Sequence, residues 1–167
     1  MKKLLILILF LTSEVLADIN LSKIKDGFQS PWSLSIVDEG KFLITEKSGN
    51  IILFNEAANN TKKIEHNLNI FEDGQGGLLD IFYENNFVYV TYSENMSKGF
   101  TSTSLAKAKY KEDVLNFKNL FRSEPPIKSG YHFGSRIVIK EDDIFISSGE
   151  RGEGIIAQDI SKHPGSI

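Results

Sequence analysis

The sequence predicts an all-β fold of the β-propeller type, with about three blades present as an incomplete ring. Three observations carry this. Short apolar runs of strand length alternate with turn-forming polar residues along most of the chain. One strand pattern is used three times, as FLITE at 42–46, VYVTYSE at 88–94 and IFISSGE at 144–150, each ending at a glutamate and spaced 46 and 56 residues apart. No long segment of helical periodicity competes with these runs. A period of roughly 40–50 residues with several short strands per unit marks a propeller blade. A β-sandwich of similar hairpins is the alternative.

The amino terminus is read apart from the fold. Lys2 and Lys3 precede an unbroken apolar run from Leu4 to Leu11, and a short polar stretch ends in Val15-Leu16-Ala17. This is the three-part pattern of a secretory signal peptide over 1–17, with cleavage between Ala17 and Asp18 and a periplasmic or secreted destination. Eight apolar residues are too few for a membrane-spanning helix, which needs about 20. An uncleaved anchor is the competing reading. Residues 18–167 then form the amino-terminal part of a propeller domain.

Composition narrows the function classes. The chain is 41% hydrophobic and 25% charged with a net charge of -3, values of a soluble globular protein without the basic patch that nucleic acid requires. It has no cysteine, which removes disulfides, thiol nucleophiles and cysteine-ligated zinc and leaves stability to core packing.

The elements follow in order. Ser33–Val37 and Lys41–Thr45 flank Asp38-Glu39-Gly40, and Lys47-Ser48-Gly49-Asn50 leads into Ile51–Phe54. Leu78–Tyr83 and Phe87–Tyr92 flank Glu84-Asn85-Asn86; Arg136–Lys140 and Ile144–Ser147 flank Glu141-Asp142-Asp143. The polar, glycine-containing stretch Ser93–Thr103 reads as a loop between units. Trp32, Phe42, Phe54, Phe82, Tyr89 and Phe145 read as core, since stacked sheets need large side chains between them. His66 and His163 read as surface residues, and Gln158 and Asp159 as holding a connection between blades.

Six blades of about 40–45 residues need roughly 240–270 residues, more than this chain has. About three can be built, which predicts an amino-terminal piece of a longer protein with sheet edges left open at the gap. Such edges tend to pair with other strands. Self-association, or a second chain that completes the propeller, is the expected consequence.

Four segments carry a family resemblance: PWSLSIV at 31–37, GQGGLLDI at 74–81, GYHFGSR at 130–136, and SGERGE with AQDISKHPGSI within 148–167. In this order and spacing the chain resembles the soluble PQQ-dependent aldose sugar dehydrogenases, the six-bladed glucose/sorbosone dehydrogenase family, over the first half of the family's domain. The resemblance implies oxidation of the anomeric hydroxyl of an aldose to a lactone, with hydride transfer to pyrroloquinoline quinone (PQQ). It implies that His132 is the base and that Gln75 contacts the quinone. This chain carries Tyr131 where the family has a small polar or acidic residue. Calcium is implied as an accessory ion, with its ligands, and the cationic residues for the PQQ carboxylates, in the second half of the domain. The preferred sugar and the electron acceptor stay unspecified.

The residue types suit that chemistry on their own terms. A histidine with an ordinary pKa of about 6.5 is neutral near pH 7 and can take a hydroxyl proton. Gly130 and Gly134 let a loop approach a flat ligand closely. Gln75 has a second reading as a turn residue bonded to local backbone. Arg136 is a candidate for a cofactor carboxylate through bidentate pairing, or else a solvated or blade-stacking residue. The acidic clusters Glu72-Asp73 and Glu141-Asp142-Asp143 read as polar turns rather than metal ligands, so no metal site is assigned. Two functions stand: an aldose dehydrogenase of which this chain alone is inactive, and a non-catalytic half-propeller that serves binding or assembly.

Overall fold

A computed structural model describes residues 19–167; the expected signal peptide over 1–17 lies outside them. Within these residues eleven strands form three sheets. The first runs β1 (Pro31–Asp38), β2 (Lys41–Glu46), β3 (Ile51–Asn55) and β4 (Asn60–His66), with the short β8 (Val114–Leu115) added in parallel to β4. The second is β5 (Leu78–Glu84), β6 (Phe87–Asn95), β7 (Thr101–Lys109) and β9 (Lys118–Arg122). The third is the hairpin β10 (Gly134–Lys140) and β11 (Asp143–Ser148). Among the described residues there is no α-helix, only two 3₁₀ turns at Ser97–Gly99 and Gly154–Gln158. Two complete blade-like sheets and the opening hairpin of a third are therefore present.

Hairpin chemistry sets the register. Asn85 and Asn86 both adopt positive φ, 50° and 65°, and form a two-residue turn whose twist matches its strands. The three recurring segments are β2, β6 and β11, the second strand of each sheet, which is why they share a pattern.

The sheets stack face to face over two cores. Leu43, Ile51, Leu53 and Ile64 of the first sheet meet Leu78, Ile81, Val88, Val90 and Ala106 of the second. Tyr89 and Leu105 of the second meet Ile137 of the third, with Phe82, Phe121, Ile139 and Ile146 packed around them. Each fully buried Leu, Ile or Val contributes roughly 1.5–3 kcal/mol.

The first strands of successive sheets, β1, β5 and β10, lie against one another. Asp80 on β5, only 3% exposed, joins all three. Its Oδ1 accepts from Ser33 Oγ on β1 at 2.5 Å and Arg136 Nη1 on β10 at 2.9 Å, and its Oδ2 accepts the N–H of Ile137 at 2.7 Å.

Three expectations are corrected. Ser93–Thr103 is a loop only over 96–100, since Ser93–Asn95 end β6 and Thr101–Thr103 begin β7. Ser93, Thr101, Ser102 and Thr103 are buried with their hydroxyls bonded, which hydropathy cannot show. Trp32 and Phe145 are 47% and 46% exposed rather than core. They lie on the outer faces of the first and third sheets, which no other sheet covers among the described residues. The exposed apolar surface of the stack is accordingly two sheet faces, with Leu34 and Ile36 beside Trp32 and Val138 beside Phe145, more than sheet edges.

Candidate active site

His132 lies on the loop that connects β9 to β10. The backbone there is contorted: His132, Gly134 and Ser135 have φ of 49°, 74° and 102°. Left-handed backbone at a non-glycine residue costs about 1–3 kcal/mol and persists only where surroundings enforce it. Here the surroundings come from the second and third sheets. Gln75, on the turn before β5, donates its N–H to the Gly130 carbonyl at 2.7 Å and accepts the His132 N–H on Oε1 at 2.9 Å. From β7, Thr101 Oγ1 donates to the Ser129 carbonyl at 2.8 Å and Thr103 Oγ1 to the Phe133 carbonyl at 2.7 Å. After β11, the Gly149 N–H donates to the Phe133 carbonyl at 3.1 Å.

Two glycines permit this closeness. A Cβ on Gly74 would stand 2.6 Å from the Gly130 oxygen, and one on Gly149 would stand 1.9 Å from the His132 oxygen. No side chain fits either position without moving the loop.

The imidazole is 51% exposed on its side chain, and its Nδ1 is bonded to the Glu150 carboxylate just past β11. That hydrogen bond holds the Glu150 carboxyl below its ordinary value, with burial opposing and the backbone N–H groups of Glu150 and Gly152 assisting. An ionised carboxylate on Nδ1 requires the proton there, which leaves the Nε2 lone pair of the neutral ring to accept another proton. The arrangement is a half-exposed base, oriented from behind by a carboxylate and held through its backbone by a glutamine.

The sequence-stated candidates thus divide. His132 and Gln75 are brought together directly. Gln75 is neither a local turn residue alone nor a free ligand-facing amide, because its oxygen supports the histidine backbone; among the described residues no acceptor engages its amide nitrogen. Arg136 sits elsewhere, on Asp80, as part of the junction between first strands. Tyr131 is exposed, with its ring edge-on to His132 at 6.3 Å. Asp159 caps its own turn through Ser161 and Lys162, rather than a blade connection. His66 is half-buried, its Nε2 on the Gly49 carbonyl at 2.6 Å, while His163 is exposed against the Phe121 ring.

Glu150 was missed as a site residue, although a signal for it exists. It is the third of the recurring glutamates. Glu46 accepts from the Gln29 N–H and from Asn50, and Glu94 accepts from Arg122, Ser104 and Asn119. Only at the third position is the partner a histidine.

Stacked antiparallel sheets whose inner strands adjoin, with a carboxylate-backed histidine on the loop leading into a first strand, define a propeller protein with a histidine-centred polar site. Residues 28–167 match the model of the Glucose / Sorbosone dehydrogenase family, and the chain belongs to that family. It is 28% identical over 161 residues to the aldose sugar dehydrogenase YliI of Escherichia coli K12, covering 90% of this chain and 43% of that protein. A crystal structure of glucose dehydrogenase superimposes with a TM-score of 0.81 at 29% identity, over 86% of this chain and 45% of that one. The PQQ-bound aldose sugar dehydrogenase of Streptomyces coelicolor shares the fold, with a TM-score of 0.75 at 22% identity over 87% of this chain and 45% of its own. This chain spans less than half the length of each.

Proposed function

We propose that this chain provides the base-bearing half of a PQQ-dependent oxidoreductase that converts the anomeric hydroxyl of an aldose to a lactone. One observation carries the proposal: Glu150 and Gln75 fix His132 so that Nε2 is its free nitrogen. Family membership and the named activities of the relatives support it.

The donor set suits a polar quinone. Gln75 has an amide nitrogen to offer a quinone oxygen, His132 Nε2 can accept a hydroxyl proton, and the Lys47 ammonium, 2.6 Å from the Gly74 carbonyl, is a cation in contact with the Gln75 turn. PQQ, when bound, supplies the acceptor for the hydride leaving the anomeric carbon. His132 takes the hydroxyl proton at Nε2, and Glu150 balances the charge that this creates on the ring. The product is the lactone, and the carbon loses one hydride and its oxygen one proton.

Calcium belongs to the proposal as an accessory ion held outside this chain; among the described residues no group of three or more acidic or histidine side chains is placed to hold a metal. Export with cleavage between Ala17 and Asp18 belongs to it as well, and the mass of the mature protein tests that. The exposed faces around Trp32 and Phe145 favour action together with a further body, and we propose that the chain alone binds PQQ weakly and turns nothing over.

The experiment is titration of the mature chain with PQQ in the presence of calcium, then addition of an aldose and an artificial electron acceptor. The expected result is no saturable binding at micromolar PQQ and no acceptor reduction by the chain alone, with both restored by a complementing propeller half. Acceptor reduction by a monodisperse monomer overturns the half-site reading. A complemented assembly that binds no PQQ overturns the cofactor assignment.

A further inference from the structure

Arg151 follows Glu150 directly, yet its side chain is 2% exposed. Buried arginines ordinarily meet a carboxylate. The contacts of this one are neutral. Nε donates to the Tyr131 carbonyl at 2.8 Å, and Nη2 donates to the Ser129 carbonyl at 2.5 Å and to Thr101 Oγ1 at 2.7 Å. Nη1 reaches the Thr101 carbonyl at 3.4 Å, and the guanidinium carbon lies 3.5 Å from the centre of the Phe133 ring. Every partner is either on the loop 129–133 or on Thr101, which itself bonds that loop.

We propose that Arg151 is a positioning residue for the His132 base, acting as a clamp on the backbone to either side of it. The inference rests on the reading of His132 as the base. Glu150 grips the imidazole while its neighbour Arg151 grips the Tyr131 carbonyl before the histidine and stacks on the Phe133 ring after it. Two consecutive residues thus hold one histidine from two directions. Arg151 itself has φ of 62°, and Gly152 of 82°, so the chain bends sharply to place both side chains.

A planar fork is what this geometry uses. Four acceptor atoms on three residues are served by one rigid group, which a flexible ammonium cannot do at once. Burial pushes the guanidinium down to about 10, with Glu150 opposing, so it remains charged at neutral pH. A charged donor makes the stronger hydrogen bond to a carbonyl, and the left-handed backbone at His132 is the feature that needs such support.

The test uses the mature chain and the variants Arg151→Met and Arg151→Lys. Amide hydrogen exchange followed by mass spectrometry reads the loop, and the imidazole nitrogen spectrum reads the His132–Glu150 hydrogen bond; a His132→Asn control assigns the signal among three histidines. Arg151→Met is expected to speed exchange over 129–134 by about tenfold and to shift the His132 Nδ1 resonance, with β2, β3 and β6 unchanged. Arg151→Lys keeps the charge but not the fork, and should show the same change to a lesser degree. A folded Arg151→Met with unaltered His132 signals overturns the proposal, as does equal loosening of all three sheets, which marks an ordinary core residue. If Arg151→Met does not fold, Arg151→Lys carries the test, and unaltered exchange over 129–134 in that variant overturns the proposal too. Failure of a complemented assembly to bind PQQ leaves these signals untouched and counts against the proposed activity only.

Discussion

Gln75 Oε1 accepts the backbone N–H of His132 at 2.9 Å, across 57 residues of sequence. On the proposed function, the residue that would offer its amide to a quinone also supports the base beside it. Gln75→Ala should therefore lower PQQ affinity and turnover together, each by roughly tenfold, the worth of about one hydrogen bond. Titration and turnover at saturating PQQ, in an aldose-active assembly containing this chain, check it. Unchanged turnover at saturation would reduce Gln75 to a ligand contact.

In the same assembly His132→Ala should leave PQQ binding nearly intact and cut turnover by roughly 10² to 10⁴, the range for a general base. Glu150→Gln should cost less, about tenfold to a hundredfold, because it disturbs only the tautomer and the orientation of the ring. Steady-state rates at saturating PQQ and aldose rank the two.

Asp80 and Arg136 are bonded to each other but should not be equivalent. Asp80→Ala strands the Ser33 hydroxyl and the Ile137 N–H inside the junction, a loss of about 2–4 kcal/mol. Arg136 is largely exposed, so Arg136→Ala should cost less than about 1 kcal/mol. Denaturant unfolding of the two variants measures the asymmetry, and equal losses would refute the account of the hub.

Glu94 supplies a pH dependence. Burial raises its pKa, but hydrogen bonds from Arg122, Ser104 and Asn119 and the Arg122 charge outweigh it, and the net value lies below the ordinary 4.5. A carboxyl depressed on folding contributes stability that is complete above its unfolded pKa and is lost as pH falls through the folded one. Stability should thus drop more steeply in the native chain than in Glu94→Gln as pH goes from about 6 to about 3. Parallel curves from denaturant melts would mean that the Arg122 pair contributes nothing.

The outer faces predict solution behaviour. Trp32→Lys on the first sheet and Phe145→Lys on the third place a charge within each exposed apolar patch. Both should shift the mature chain toward monomer in sedimentation, and the double variant further. Association unaffected by either change would locate it at sheet edges instead.

Much of the fold was legible because its signals are local. β2, β6 and β11 each pair an apolar run with a flanking turn, and their common glutamate marked them as one element used three times. His132 stood out for a similar reason, lying among glycines that let a loop approach closely, whereas Gln75 stood out through the resemblance of its GQGG motif. β4 and β9 were not seen, being polar strands whose exposed residues give no apolar alternation.

What the sequence by itself determined was the all-β class, the hairpins with their turns, and the histidine and glutamine motifs, since turn chemistry and alternation act between neighbours in the chain. Tertiary structure alone decided which partners the polar groups find. Thr101, Ser102, Thr103 and Ser104 look like loop residues yet are fully buried, because their hydroxyls bond Ser129, Ser123, Phe133 and Glu94. Arg136 goes to Asp80, and Glu150 rather than another glutamate meets His132. Hydropathy assigns a hydroxyl or a charge to water, and only a partner brought from tens of residues away makes its burial favourable.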